Sequence, residues 1–148
     1  MKNIIGNLTT GLASAILLVF GSIYLLKNSF MPYHSASLSL KWEEVSTATQ
    51  FLILALMRAT AGGYLSLAVA MIFLQYRLSA DKLSWIPFMI LIIGTISMVC
   101  SLYAELIVTD NTPGHPPVVV TLVGETLLIT GFIFNRKFVK NDARIHPM

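Results

Sequence analysis

Three ionisable side chains stand deep inside otherwise apolar sequence: Arg58, Glu105 and Glu125. A guanidinium stays charged and presents several donors in a fixed fork, so with acids beside it it can clasp helices or hold the negative or carbonyl group of a ligand. Glutamates in such a setting can tune that arginine, relay protons or cations, or act as a general base. A charge within an apolar segment costs a few kcal/mol on insertion scales, and it is most easily tolerated facing another charge or a wet cavity.

Neighbouring residues extend this constellation. Gly94, Ser97, Ser101 and Glu105 recur at three- and four-residue steps, which places them on one narrow polar stripe of a helix, and Thr121 shares a face with Glu125. Tyr64 and Tyr103 are candidate lining residues. His115 lies in a turn-rich stretch, Asp110 to Pro117, from which it could fold back to gate access or exchange protons near neutral pH. The expected ligand-binding set is therefore Arg58, Glu105, Glu125, His115, Tyr103 and Ser101. His34, His115, Glu105 and one of Glu43 or Glu44 carry suitable atoms for a divalent metal, but no compact ligand spacing unites them and no metal site is expected. A glycine-rich phosphate loop, a zinc-hydrolase helix, a nucleophile elbow and a paired-cysteine redox motif are all missing from the sequence, so no cofactor is legible. Catalysis would have only Glu105 as base beside His115, with Arg58 opposite developing charge.

The elements that must position these groups follow from composition. Of 148 residues, 55% are hydrophobic and 11% charged, and the mean hydropathy is +0.75. Soluble domains carry about 25% charge. A water-facing enzyme domain, a disordered chain and a nucleic-acid-binding module are excluded on that ground. The single cysteine, Cys100, cannot form an intramolecular disulfide and reads as an inert thiol in an apolar run. Four apolar segments, at about 4–26, 45–76, 83–108 and 117–134, predict an all-α integral membrane four-helix bundle forming one domain over 1–148. No small-x-small cleavage site follows the first segment, which favours an uncleaved span over a signal peptide. In the second span, Arg58-Ala59-Thr60-Ala61-Gly62-Gly63 is similar to stretches of small four-helix bacterial inner-membrane proteins, a likeness confined to one helix that carries over no activity or ligand.

Basic residues assign the sides. Lys2, Arg77, Lys82, Arg136, Lys137, Lys140 and Arg144 fall at one end and Lys27 and Lys41 at the other, so both termini are expected in the cytoplasm of a multi-pass inner-membrane protein. Counting inward from the opposite end, Arg58 lies ~13 Å deep, Glu125 ~12 Å and Glu105 ~5 Å at helical rise. That match predicts an Arg58–Glu125 pair with Glu105 above it. Ala55, Ala59 and Gly63, with Gly62 and Ser66, predict close helix packing. The alternation over residues 35–42 predicts an extended outer segment with Leu38, Leu40 and Trp42 turned to the bundle. Residues 77–82 read as a short loop, and the basic residues from Arg136 onward as an interfacial tail with His146 solvated.

Together these features suggest a small binding or accessory protein with a polar pocket in the periplasmic half of the bundle, for a lipid-like or small anionic ligand. The alternatives are a subunit of a proton- or cation-coupled transporter, or a membrane enzyme using Glu105 and His115. Expected partners are membrane lipids, a small amphipathic ligand, and a second copy or another membrane protein; nucleic acid is not expected.

Overall fold

The computed structural model describes residues 3–145, with side chains placed for 3–142; Lys2 and His146, both used in the sequence reading, lie outside the described residues. The chain is all-helical: α1 (Ile4–Leu26), α2 (Pro32–Leu38), a short 3-10 turn (Trp42–Glu44), α3 (Thr47–Asp81), α4 (Ile86–Asn111) and α5 (Val118–Ile145). Helices α1, α3, α4 and α5 are each long and apolar enough to cross a membrane, which makes this a multi-pass membrane protein. Large apolar side chains such as Leu8, Phe51, Phe73 and Val119 cover the outside of the bundle, as a hydrocarbon surround requires.

Helix α1 packs on α3 and α5, α4 packs on α5, and a thinner seam between α3 and α4 closes the ring. Helices α3 and α5 therefore stand diagonally across the bundle. Each helix presents one stripe to the interior. On α3 this stripe is Met57, Ala61, Ala68, Met71, Gln75 and Leu78, spaced by three, four or seven residues. Small residues admit close approach where large ones face them: Gly94 receives Leu128, Gly124 receives Met98 and Gly21 receives Leu65. The set Ala55, Ala59, Gly62, Gly63 and Ser66 does not do this. All five are exposed, and a Cβ added at Gly62 or Gly63 would meet open space. They lie off the inward stripe, so the small side chains that let α3 approach its neighbours are Ala61 and Ala68.

Three boundaries differ from the sequence reading. Residues 35–42 were expected to be extended, but α2 continues through Leu38, and the chain straightens only at Lys41 (φ −81°, ψ 162°). Pro32 presets the helical φ in the first turn. The Met31 N–H donates to His34 Nδ1 at 3.2 Å, and no β-branched residue opposes helix from Ser35 to Leu38. Residues 77–81 belong to α3, stapled by an Arg77–Asp81 ion pair of 2.7 Å, and the connection is the short turn that begins at Lys82 in the left-handed region (φ 54°). The supposed tail is helix as far as Ile145. Asn135 and Val139 keep the inward spacing, and Lys82 reaches Asp142 at 2.6 Å.

The terminal end of the bundle is held by a carboxamide network. Asn135, 1% exposed, donates through Nδ2 to Gln75 Oε1 at 3.0 Å and to Thr10 Oγ1 at 3.3 Å. Its Oδ1 accepts from Gln75 Nε2 at 3.3 Å and from Asn3 Nδ2, while the other Gln75 hydrogen goes to Asn7 Oδ1 at 2.7 Å. The network joins α1, α3 and α5, and every polar atom of the Asn135 side chain is used. Gly6 and Gly131 make room for it, since a Cβ would lie 2.2 Å from Asn135 Oδ1 or 2.7 Å from Thr10 Oγ1. Asn135→Leu should destabilise the fold by about 1–3 kcal/mol, because Gln75 and Asn3 lose partners that lipid cannot replace. The check is the unfolding midpoint in a dodecyl sulfate titration; an unchanged midpoint would show that the network carries no stability.

Candidate functional site

At the opposite end the helices diverge around a cavity of about 430 Å³. Its roof is α2, which contributes Tyr33, His34, Ser37 and Leu38, and its walls are α3 and α4. The roof is seated by packing and by hydrogen bonds. Tyr33 and Tyr24 of α1 share a hydroxyl-to-hydroxyl bond that ties the roof to a span, Phe30 before α2 meets Trp42 after it edge-on at 5.0 Å between ring centroids, and within α2 Ser37 Oγ donates back to Tyr33 O at 2.7 Å. The turn before α5 presses on the same helix. A Cβ at Gly114 would lie 2.0 Å from Ser37 Oγ and 2.7 Å from Tyr33 O, so only glycine allows this contact.

The polar groups gather at the inner side of the cavity, where α1, α3 and α4 meet. Tyr64 and Ser101 share a hydroxyl bond of 2.8 Å, and the Tyr24 and Tyr64 rings meet edge-on at 6.2 Å. Glu105 Oε1 accepts from Thr121 Oγ1 at 2.8 Å, while its Oε2 is buried with no partner. Tyr24, Tyr64, Ser101 and Glu105 also border a second void of about 40 Å³, which has room for roughly one water. The remaining lining is apolar, including Ile53, Leu56, Met57 and Val108, and no lysine or arginine contributes to it.

Of the expected site residues, Ser101 and Glu105 line the cavity, together with Tyr64 and His34. The predicted Arg58–Glu125 pair does not form. Arg58 donates from Nη1 to Leu54 O at 3.2 Å and from Nη2 to Asn28 Oδ1 at 3.3 Å. Glu125 Oε1 accepts from Thr95 Oγ1 at 2.9 Å, and its Oε2 is buried without a partner. The two residues do not share a level, since Arg58 reaches Asn28 just beyond the end of α1 while Glu125 reaches Thr95 well inside α4. Arg58 also follows inward-facing Met57 by one residue and so points about 100° round the helix from it. Their helices are also diagonal in the ring. Tyr103 is 68% exposed and turned away from the cavity. His115 is exposed on its loop and does not line the cavity with Glu105, so the two make no acid–base pair there. Among the described residues, no three His, Cys, Asp or Glu side chains converge as a metal site would require.

Sequence reasoning missed Tyr24 and Tyr33. The signal for Tyr24 was present: Thr10, Ser14, Leu17 and Gly21 are buried at helical spacing, and three further residues reach Tyr24. Tyr33 depends on α2 being a helix, which the alternating pattern hid.

In α2, outside the spans, burial raises the Tyr33 phenol and lowers the His34 imidazole from its ordinary value. Neutral His34 is also what the roof needs, because a protonated Nδ1 cannot accept from the Met31 N–H. With its folded value depressed, His34 binds fewer protons when docked than when released. Docking is therefore strongest above the ordinary histidine value near 6.5 and weakens as pH falls below it. Amide exchange across α2, corrected for intrinsic rate, should accelerate between pH 7.5 and 5.5 by up to about tenfold per unit. The response should flatten in His34→Gln; an equal response in that variant would assign it to another group, such as Glu105.

No protein-family model matches this chain, and comparison with curated proteins and with solved structures finds no match.

Proposed function

We propose that this chain is a binding or accessory protein of a bacterial inner membrane, with both termini in the cytoplasm and the cavity in the periplasmic half. In this reading a lipid-like amphipathic molecule enters sideways from the bilayer. The observation that carries the proposal is the position of the rim. Leu56, Thr60 and Ala104 line the cavity and are also exposed on the outer faces of α3 and α4, Leu56 by 60%. A gap between two spans at that level faces hydrocarbon rather than water, so an apolar chain can enter without crossing a polar surface. The seam between α3 and α4 is the thinnest in the ring, which favours opening there. An anionic ligand held by Arg58 loses its support, because that side chain is occupied with Asn28 and the backbone of α3.

The orientation rests on the excess of Lys and Arg at the terminal end. A C-terminally fused reporter that fluoresces only after folding in the cytoplasm should be bright, and a dark fusion would invert the topology.

A cation- or proton-coupled transporter subunit is the second reading. It is favoured by the buried, partnerless Oε2 atoms of Glu105 and Glu125, two acids inside the spans.

Filling the mouth tests the binding reading. Ala104→Trp should lower the affinity for dodecanol, measured by native mass spectrometry of protein in maltoside micelles, by ~10-fold or more if a buried alkyl chain supplies the affinity. Val99→Trp, on an exposed face of α4 away from the cavity, should leave it unchanged. Equal affinity in the parent and Ala104→Trp would overturn the binding role.

A further inference from the structure

We infer that the head group accepted by this cavity is an ammonium, with Glu105 as its counter-ion. The inference rests on the proposed binding role and specifies the chemistry of the occupant. Among the residues lining the cavity, Glu105 is the only acid, and neither lysine nor arginine is present to oppose it. An anionic head would sit beside this carboxylate with no cation to offset the repulsion. One oxygen of Glu105 is already held by Thr121, which fixes the carboxyl group, and the other is buried and partnerless. The Glu105 carboxyl group itself lines the cavity, so its negative charge acts on whatever the cavity holds.

The surroundings suit a cation in a second way. The rings of Tyr24, Tyr33 and Tyr64 all border the cavity, and aromatic faces attract ammonium groups electrostatically. Their hydroxyls are tied to one another or to Ser101, which fixes the rings in place. The apolar lining and open rim then accommodate the chain. The shared chemistry is an alkyl chain ending in an amine; a lipid headgroup and a free long-chain amine both have it.

Matched amphiphiles separate this inference from the binding role beneath it. Dodecylamine, dodecanol and dodecanoate share one chain and differ in the head. In maltoside micelles at pH 7.5, native mass spectrometry should show dodecylamine binding ~10–100-fold more tightly than dodecanol, the range expected for a hydrogen bond to a charged group. Dodecanoate should bind least. Glu105→Gln keeps the Oε1 acceptor for Thr121 and should reduce dodecylamine to the level of dodecanol. Equal binding of all three, or a preference for dodecanoate, would overturn the ammonium inference while leaving the cavity a chain-binding site. Retention of the amine preference in Glu105→Gln would overturn it too, because the acid would then not be the counter-ion. Failure of all three to bind would remove the binding role as well. Should Glu105→Gln not fold, the parent series still decides the head. Adding phosphatidylethanolamine and dodecylamine in competition distinguishes the sources: displacement of the amine by the lipid favours a headgroup, and its persistence a free amine.

Discussion

A polar group inside hydrocarbon has no water to fall back on, and the arrangement of this bundle follows from how each such group is satisfied. At the terminal end the accounts balance. Asn135 uses both amide hydrogens and its carbonyl oxygen, Gln75 answers it in two directions, and Asn3, Asn7 and Thr10 complete the set from α1. At the other end they do not. The tyrosine and serine hydroxyls pair off, yet Glu105 keeps one buried oxygen without a donor. The same rule thus separates a fully satisfied fastening at one end from two span carboxylates, Glu105 and Glu125, that each keep an oxygen without a partner.

Helix α1 links the two ends. It supplies Asn3, Asn7 and Thr10 to the fastening and Tyr24 to the cavity, and it is packed against both α3 and α5. Because α3 and α4 touch more sparingly, the ring is packed more closely on the side of α1 and α5 than beside the rim of the cavity.

Much of this was legible in the sequence, and the failures have separate physical causes. Periodicity and composition located the four spans because hydrocarbon burial imposes a length and an apolar content that few other structures need. Depth was counted from the apparent ends of the apolar segments, which do not lie at one level: Arg58 sits beside Asn28, just beyond the end of α1, and Glu125 beside Thr95, well inside α4. Rotation about the helix axis could not be judged from depth alone. The inward stripe through Met57, Ala61 and Ala68 carries that information, and Arg58 falls beside it. The same stripe would have set aside Ala55, Ala59 and Gly63 as packing residues. On α4, the stripe of Gly94, Ser97, Ser101 and Glu105 carries rotation as well as depth, and its outer members Ser101 and Glu105 stand on the cavity wall. Residues 35–42 misled because short alternating runs of Ser, Ala and Leu fit either period, and a proline-initiated, self-capped turn resolved the ambiguity toward helix.

The contact at Gly114 places the connection between α4 and α5 directly against the roof, where Ser37 Oγ and the Tyr33 carbonyl face it. A change in the angle between those two helices would therefore be transmitted to α2 as a push on backbone and on Ser37. The α4–α5 interface, which holds the Thr95–Glu125 contact in its interior, thus ends in a connection that abuts the roof of the cavity.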